Sequence, residues 1–224
     1  MTNPIPRKVV KKIKAFEYPI TATKFLSKPR PDSEVKFFET ILNRRSQRVF
    51  APINEGNLSA LLYYSAKTLN TNFSKEGYLW SNRPTPSAGG IHPIDIIVCT
   101  IGKLRSSISY YNPIDHSLNT LELDDKKVAL FIKHTNEILP GGEQGVILWL
   151  LAHEYRTASK YRNHKSLVWR DAGCLLFCLN LVSSALKLNF CLLGSLGEPH
   201  ISDMFKEYGQ VYGVGGCIFG DPIT

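Results

Sequence analysis

Long apolar runs are missing from this sequence of 224 residues. The longest uncharged run, residues 172–186, has fifteen residues and includes Asn180, Ser183 and Ser184. A membrane-spanning helix needs about 20 predominantly apolar residues. We therefore expect this run to form a buried helix, and we expect no membrane among the partners of the protein. The N-terminal segment also lacks the apolar stretch of a secretory signal, which favours a cytoplasmic protein.

Cysteine is sparse, and its spacing does not suggest a disulfide framework. The five cysteines are an odd number and include no Cys-x-x-Cys pair; they are Cys99, Cys174, Cys178, Cys191 and Cys217. Each stands among apolar residues, so we expect reduced thiols in a core. No His, Cys or carboxylate spacing suggests a metal site, and no Gly-x-Gly-x-x-Gly follows an apolar run, which argues against a Rossmann nicotinamide domain.

The charge balance is positive and unevenly distributed. Hydrophobic residues make up 43% and charged residues 21%, as in ordinary globular domains, but the formal net charge is +8. Much of the excess lies in residues 1–32, which carry Arg7, Lys8, Lys11, Lys12 and Lys14. We expect this stretch to be a basic arm with little structure of its own, followed by one domain over residues 33–224.

A basic arm suggests an anionic partner. The arm has no base-reading motif and little aromatic interleaving, so nucleic acid is not the expected partner. An acidic leader peptide or an acidic partner protein is the alternative, beside the plain interpretation of a solvated tail.

Apolar periodicity predicts alternating helices and strands. Helices are expected over residues 35–42, 54–70, 124–138, 157–188 with a break near Asn163 and His164, and 201–208. Strands are expected over 94–101, 108–111, 118–123, 146–151, 191–194 and 214–219, with 71–85 as a loop. This order fits an α+β sandwich with one mixed, mostly antiparallel central sheet flanked by helices.

Three guanidiniums and a hydroxyl follow the first predicted helix, at Arg44, Arg45, Ser46 and Arg48. Guanidinium groups at a helix end can present several bidentate donors to one small polyanion, and phosphate suits that geometry. The cluster therefore favours a phosphate-bearing ligand. A solvated basic helix end is the alternative.

A tight loop follows about forty residues later, where Pro86, Ser87, Ala88 and Gly89 precede a second glycine. Glycines beside small residues and prolines let the backbone approach a flat ligand closely. An ordinary turn is the alternative. His92 follows the loop and is expected to satisfy a local backbone group.

His153 and Glu154 follow the strand predicted over residues 146–151. They are either a polar pair that lines a pocket or the exposed end of a surface strand.

The Arg-Arg-Ser-x-Arg-x-Phe cluster and the Pro-Ser-Ala-Gly-Gly loop together resemble the FMN-binding pattern of the nitroreductase superfamily. The form Pro-Ser-Ala-Gly-Gly-x-x-Pro is most similar to the SagB-type branch, the azoline dehydrogenases that act on ribosomal peptides. The resemblance covers roughly residues 35–222. It implies a nitroreductase-like FMN-binding fold and a homodimer whose flavin pockets are built from both chains.

The resemblance also implies roles for individual residues. The cluster Arg44, Arg45, Ser46 and Arg48 would hold the FMN phosphate and ribityl chain, and the loop from Pro86 to Gly89 would lie along the flavin. Leu193 and Gly194 would direct a backbone N–H at flavin N5. We expect the cluster and the loop to fold into one cradle. The acidic-Ala-Gly sequence of the family is present at residues 171–173.

Lys160 and Tyr161 match a Lys-Tyr pair that is implicated in catalysis in azoline dehydrogenases. Aromatising an azoline ring removes a hydride and a proton from neighbouring ring atoms, so a base must face the flavin. A lysine can be that base where desolvation or a nearby cation lowers its pKa, and Arg156 and Arg162 are close in the sequence. The alternative is a solvated lysine beside a packed tyrosine.

The expected function is FMN-dependent oxidation of azolines to azoles in a modified precursor peptide. Two alternatives stay open at this point. One is other flavin chemistry on the same fold, such as nitro or quinone reduction by NAD(P)H or oxidation of a cyclic dipeptide. The other is a non-catalytic flavin-fold subunit that binds a peptide or a cyclodehydratase partner.

Overall fold

The computed structural model describes residues 2–13, 15–30, 34–73, 79–100, 107–138 and 144–223. The strands are β1 Ile5–Pro6, β2 Ile20–Phe25, β3 Asn70–Phe73, β4 Leu79–Asn82, β5 Ile94–Thr100, β6 Ser107–Asn112, β7 Ser117–Leu121, β8 Val146–Ala152, β9 Tyr161–Arg162, β10 Asn189–Leu193 and β11 Tyr212–Gly220. The helices are α1 Phe37–Asn43, α2 Glu55–Ala66, α3 Asp125–Ile138, α4 Glu154–Lys160, α5 Lys165–Ala185 and α6 His200–Phe205.

Seven strands form one sheet in the order β10-β11-β8-β5-β6-β7-β2. Every pairing in it is antiparallel, so the predicted α+β architecture is confirmed and the sheet contains no parallel pair among the described strands. The central strands β5 and β8 are buried almost throughout. Their sequences are continuous apolar runs because both faces of the sheet are covered.

The two faces of the sheet have separate cores. Helices α2 and α5 cover one face, where Leu61, Leu62 and Leu179 are fully buried. Helices α3 and α6 cover the other, where Phe131 and Phe205 pack on side chains of β8. The site described below lies on the α2 and α5 side, at the end of the sheet where β5 begins.

Helix α5 is the long core helix of the domain. Its 21 residues are long and apolar enough to cross a membrane by length and composition alone, with a mean hydropathy of 1.3. One face of α5, including Val168, Ala172 and Leu179, packs into the core beside α2. The predicted buried helix is therefore present, although its opposite face is open.

The N-terminal region has more regular structure than we predicted. Strand β2 pairs with β7 at the edge of the sheet, and Phe16 and Tyr18 pack against the second core. The expectation of an arm with little structure is wrong for this stretch, because its aromatic side chains find a core to cover. The domain boundary at residue 32 stays a prediction.

A β3–β4 hairpin occupies part of the predicted loop over 71–85. The sequence of β3, Asn-Thr-Asn-Phe, is fully exposed and has no alternation of apolar and polar residues to reveal it. Residues 74–78 of that loop lie outside the described residues.

The cysteines only partly follow the prediction of core thiols. Cys99, Cys191 and Cys217 are buried, whereas Cys174 is exposed and Cys178 is half-buried. The prediction is wrong for Cys174 because that residue lies on the open face of α5. Within the described ranges, no group of three His, Cys, Asp or Glu side chains is placed to hold a metal.

Candidate functional site

A carboxylate on α5 anchors the glycine loop. Ser87 Oγ donates to Asp171 Oδ2 at 2.5 Å, and the Ala88 N–H donates to Asp171 Oδ1 at 3.1 Å. The His92 N–H in turn donates to Ser87 Oγ at 2.9 Å. Burial raises the pKa of Asp171 above its ordinary value, and the bonds from Ser87 and Ala88 offset only part of that rise. The Pro-Ser-Ala-Gly-Gly loop is therefore anchored by Asp171. The resemblance included an acidic residue at this position but gave it no role.

Lys160 and Tyr161 converge on Gly89. A Cβ atom at Gly89 would lie 2.9 Å from Tyr161 Oη and 3.0 Å from Lys160 Nζ, and Gly89 has φ of +69°. Lys160 Nζ lies 5.8 Å from the centre of the Tyr161 ring. Glycine is required here twice over, for the left-handed backbone and for the close approach of two side-chain tips. The structure thus places the proposed catalytic pair against the proposed flavin loop.

The β3–β4 hairpin packs on the outer side of the same loop. The Trp80 ring leaves no room for a Cβ at Gly90, and His92 Nε2 lies 3.0 Å from the Ser81 carbonyl oxygen. His92 therefore satisfies a local backbone group, as predicted. The sequence analysis did not single out Trp80 as a site residue, because the hairpin that carries it was not predicted.

The N-terminal segment closes the end of α4, where Lys160 stands. The last carbonyls of a helix have no partner within it. Here the Arg7 N–H donates to the Lys160 carbonyl at 2.7 Å, Arg7 Nε to the Ala158 carbonyl at 2.9 Å, and the Lys11 N–H to the Ser159 carbonyl at 3.1 Å. Strand β1 also pairs with β9, opposite Tyr161. The segment predicted to be a solvated tail is therefore part of the site.

A buried ion pair fixes the start of α4. Arg156 donates to Asp95 Oδ1 at 2.6 Å and to Oδ2 at 2.9 Å, and His153 Nε2 lies 2.8 Å from Oδ2. Tyr18 Oη donates to the same oxygen at 2.9 Å. Burial alone would raise the pKa of Asp95, but Arg156 and His153 hold it well below its usual range.

This network changes two expectations. The charge of Arg156 is matched by Asp95, so this arginine is not a free cation beside Lys160. His153 is fully buried and bonds to Asp95, whereas Glu154 contacts His164 Nε2 at 2.6 Å. The possible His153–Glu154 pair is therefore absent, because α4 begins between the two residues and turns them apart.

The arginine cluster lies beside β10. The Gln47 N–H donates to the Phe190 carbonyl at 2.9 Å, and Arg44 is the C-cap of α1. Arg45, Ser46 and Arg48 are exposed, and Arg44 is half-buried. Among the described residues no carboxylate forms an ion pair with these arginines. The guanidiniums of Arg44 and Arg48 are therefore available to an anion, whereas Arg45 Nη1 donates to the Leu42 and Arg44 carbonyls.

One chain does not bring the cluster to the glycine loop. The loop is held at Asp171, while Ser184 Oγ donates to the Thr40 carbonyl of α1 at 3.4 Å. Thirteen residues of α5 separate these two anchors, which corresponds to roughly 20 Å of helix. Within one chain, α5 holds the two motifs at opposite ends, so the predicted cradle stays a prediction that needs both chains of a dimer.

Leu193 and Gly194 lie at the same end of the sheet as the glycine loop. Leu193 is the last residue of β10 and pairs with Gly216. Gly194 is exposed, and a Cβ there would meet nothing within 4 Å. Three strand spacings separate β10 from β5, or roughly 14 Å across the sheet.

Solved structures with the same fold include nitroreductases. No protein-family model matches this sequence, and no curated protein matches it. A protein classed as a nitroreductase from Ralstonia eutropha JMP134 aligns over 100% of both chains with a TM-score of 0.66 and 18% identity. One classed as a nitroreductase from Desulfovibrio desulfuricans, in complex with FMN, aligns over 87% of this chain and 89% of its own, with a TM-score of 0.53 and 14% identity.

A third similar structure belongs to a synthetase complex. It is a chain of the Escherichia coli microcin synthetase McbBCD complex with truncated pro-MccB17 bound. It aligns over 90% of this chain and 79% of its own, with a TM-score of 0.58 and 15% identity. Together these likenesses show that the chain has the nitroreductase fold.

Proposed function

We propose that this chain is an FMN-dependent oxidoreductase that converts azoline rings in a ribosomally made peptide to azoles. The convergence of Lys160 Nζ and Tyr161 Oη on Gly89 is the observation that carries the proposal. A potential base and a phenol meet there, on the backbone that the sequence motif assigns to the flavin. The fold supports the flavin, since one structure that shares it is an FMN complex.

The residues present suit FMN. The loop from Pro86 to Gly89 presents its backbone beside the tips of Lys160 and Tyr161, and Gly194 leaves an exposed, open backbone position. Arg44, Ser46 and Arg48 would hold the phosphate and ribityl chain with unpaired donors. Bound at this site, FMN would supply the hydride acceptor for the oxidation, with oxygen as the final electron acceptor.

A two-fold dimer would complete this site. Phe177 lies near the midpoint between the two anchors Asp171 and Ser184, and its side chain is 56% exposed. A two-fold axis near Phe177 exchanges the ends of α5, which would set the second chain's arginine cluster beside the first chain's glycine loop. Exposed apolar side chains on α1 and α5 support such an interface: Phe38, Leu42, Trp169 and Phe177.

The residues of this chain handle the proton and hold the catalytic pair in position. Oxidation of the ring breaks two C–H bonds, one as a hydride and one as a proton. Lys160 takes the proton, and Tyr161 donates a hydrogen bond to the ring nitrogen or relays the proton. The contacts of Arg7 and Lys11 with the end of α4 keep the two side chains over the loop.

Flavin content and the Lys160→Ala variant test the proposal. The purified chain should carry stoichiometric flavin, and Lys160→Ala should keep the flavin but lose at least about 100-fold in turnover of an azoline peptide. Lys133→Ala, at an exposed position of α3, is the control. A colourless chain that FMN cannot reconstitute contradicts the proposal and favours a subunit that only binds a peptide or a cyclodehydratase.

A second candidate is reduction of nitro or quinone compounds by NAD(P)H on the same fold. The nitroreductase classification of two similar structures favours it. Such a reductase needs no base against the loop, so Lys160→Ala would leave NAD(P)H oxidation unchanged. The microcin synthetase chain favours the peptide reaction instead, with a modified precursor peptide as substrate and with partner subunits.

A further inference from the structure

The positive charge of the chain is concentrated around Lys160 and Tyr161. Strand β1 and the residues after it dock on the segment that runs from the end of α4 into α5. These two segments, residues 2–13 and 158–170, contain eight Lys and Arg residues and no Asp or Glu. The cations are Arg7, Lys8, Lys11, Lys12, Lys160, Arg162, Lys165 and Arg170.

The remainder of the chain is electrically balanced. The sequence has 27 Lys and Arg residues and 19 Asp and Glu residues, so removing these eight leaves nineteen of each sign. The whole formal net charge of +8 therefore equals the charge of the two docked segments. A general surplus of surface lysine would have spread this charge over the molecule.

Six of these cations are exposed. One of them, Arg170, donates to the Ser166 carbonyl of its own helix. The other five are Lys8, Lys11, Lys12, Arg162 and Lys165. None of the five forms an ion pair with a carboxylate in the part of the chain that the structure describes. Like charges on two segments that dock on each other repel one another, which costs stability in the free protein. An anionic partner that covers them would remove that cost and gain from the complementary potential.

We propose that this basic surface, defined by those five residues, docks an acidic segment of the peptide substrate beside the reacting ring. The inference rests on the proposed function and adds a feature of the substrate, namely acidic residues next to the azoline. Pro4 and Pro6 lack backbone N–H groups, so an incoming strand finds few main-chain donors on β1 and recognition falls to the charges. Residues 2–13 hold no aromatic side chain to stack on bases.

Binding of a labelled Glu-rich peptide to the flavin-loaded protein, followed by fluorescence anisotropy, tests this surface. We expect binding that weakens as salt rises. Changing Lys8, Lys11, Lys12 and Lys165 to Glu should weaken it by about tenfold or more, at roughly a factor of two or three for each exposed charge. The same four changed to Gln should give a smaller loss and exclude misfolding.

The matched control is a second quadruple variant with the same change in net charge. Lys28, Lys126, Lys133 and Lys206 are exposed and lie outside the two docked segments, so changing them to Glu should leave binding nearly unchanged. An equal loss in the control overturns the proposal, because net charge alone would then explain binding. Tighter binding of single-stranded DNA or of NADPH through the same four lysines also overturns it.

Measurements of KM, kcat and flavin content distinguish a failure of this inference from a failure of the proposed function. With an azoline peptide that has an acidic flank, changing Lys8, Lys12 and Lys165 to Glu should raise KM by about tenfold and leave kcat unchanged. Lys11 stays as it is in this variant, because its backbone holds the end of α4. A flavin-loaded, active protein that does not bind the Glu-rich peptide overturns the docking surface alone. A colourless, inactive protein overturns the proposed function, whatever it binds.

Discussion

Gly89 combines a backbone that favours glycine with contacts that exclude a side chain. We predict that Gly89→Ala lowers turnover by at least about tenfold, because the left-handed backbone costs about 1–2 kcal/mol and the new methyl group displaces Tyr161 or Lys160. Turnover and the free energy of unfolding are the measurements. Adding Tyr161→Phe removes the nearest atom, so the double variant should unfold less readily than Gly89→Ala. Equal stability of the two would contradict the clash.

His92 should make the fold sensitive to acid. Burial and the charge of Arg83 lower the pKa of His92 from its ordinary value of 6.5 to about 4. Below pH 6.5 the unfolded chain binds a proton that the folded chain does not, so stability is full above that pH and is lost as the pH falls toward 4. Because each pKa unit corresponds to 1.36 kcal/mol, the loss approaches roughly 3 kcal/mol.

Urea unfolding at pH 7 and at about pH 4.5 measures this effect against His92→Gln. Glutamine can still donate to the Ser81 carbonyl but does not titrate. The wild type should lose about 2–3 kcal/mol more than the variant between the two pH values. Parallel losses in both proteins would show that His92 is not the sensitive group.

At the scale of elements, the N-terminal segment acts as a cap for α4. It satisfies three successive carbonyls at the helix end, those of Ala158, Ser159 and Lys160, and sets a guanidinium at the negative end of the helix dipole. The position of the proposed catalytic pair thus depends on a segment about 150 residues earlier in the chain.

We predict that Arg7→Ala lowers kcat by about 10- to 100-fold while FMN stays bound, because the last turn of α4 frays and Lys160 moves off Gly89. Lys8→Ala is the matched control, since its side chain is exposed and makes none of these contacts. The measurements are kcat, KM and flavin content. Unchanged kcat in Arg7→Ala would show that α4 holds its end without the Arg7 guanidinium, since the backbone N–H bonds of Arg7 and Lys11 remain in the variant.

At the scale of the whole molecule, α5 separates the two ligand-binding motifs and offers a face for a second chain. We predict that Phe177→Asp converts a dimer to a monomer and lowers FMN affinity, because a charge at the centre of the interface cannot be desolvated. The matched control is Leu130→Asp on α3, because Leu130 and Phe177 are both 56% exposed. Light scattering and flavin titration are the measurements. A monomeric wild type that holds FMN tightly would contradict the shared site.

Sequence patterns alone were enough to predict most of the core. The runs at β5, β8 and the second half of α5 are mostly apolar, so the type and position of these elements follow from the sequence pattern. Strands β2 and β3 were not predicted, because their residues are exposed and an exposed edge strand needs no alternation of apolar and polar residues.

The sequence by itself determined which residue types are present for phosphate, flat-ring and proton chemistry, because these depend on local motifs such as Arg44-Arg45-Ser46 and Ser87-Ala88-Gly89. Only the tertiary structure decided which of them meet. Lys160 and Tyr161 reach Gly89 because α4 ends against the loop, whereas the arginine cluster is held at the far end of α5. Distances between motifs depend on how helices and strands pack, and that packing is set by long-range contacts that no short stretch of sequence contains.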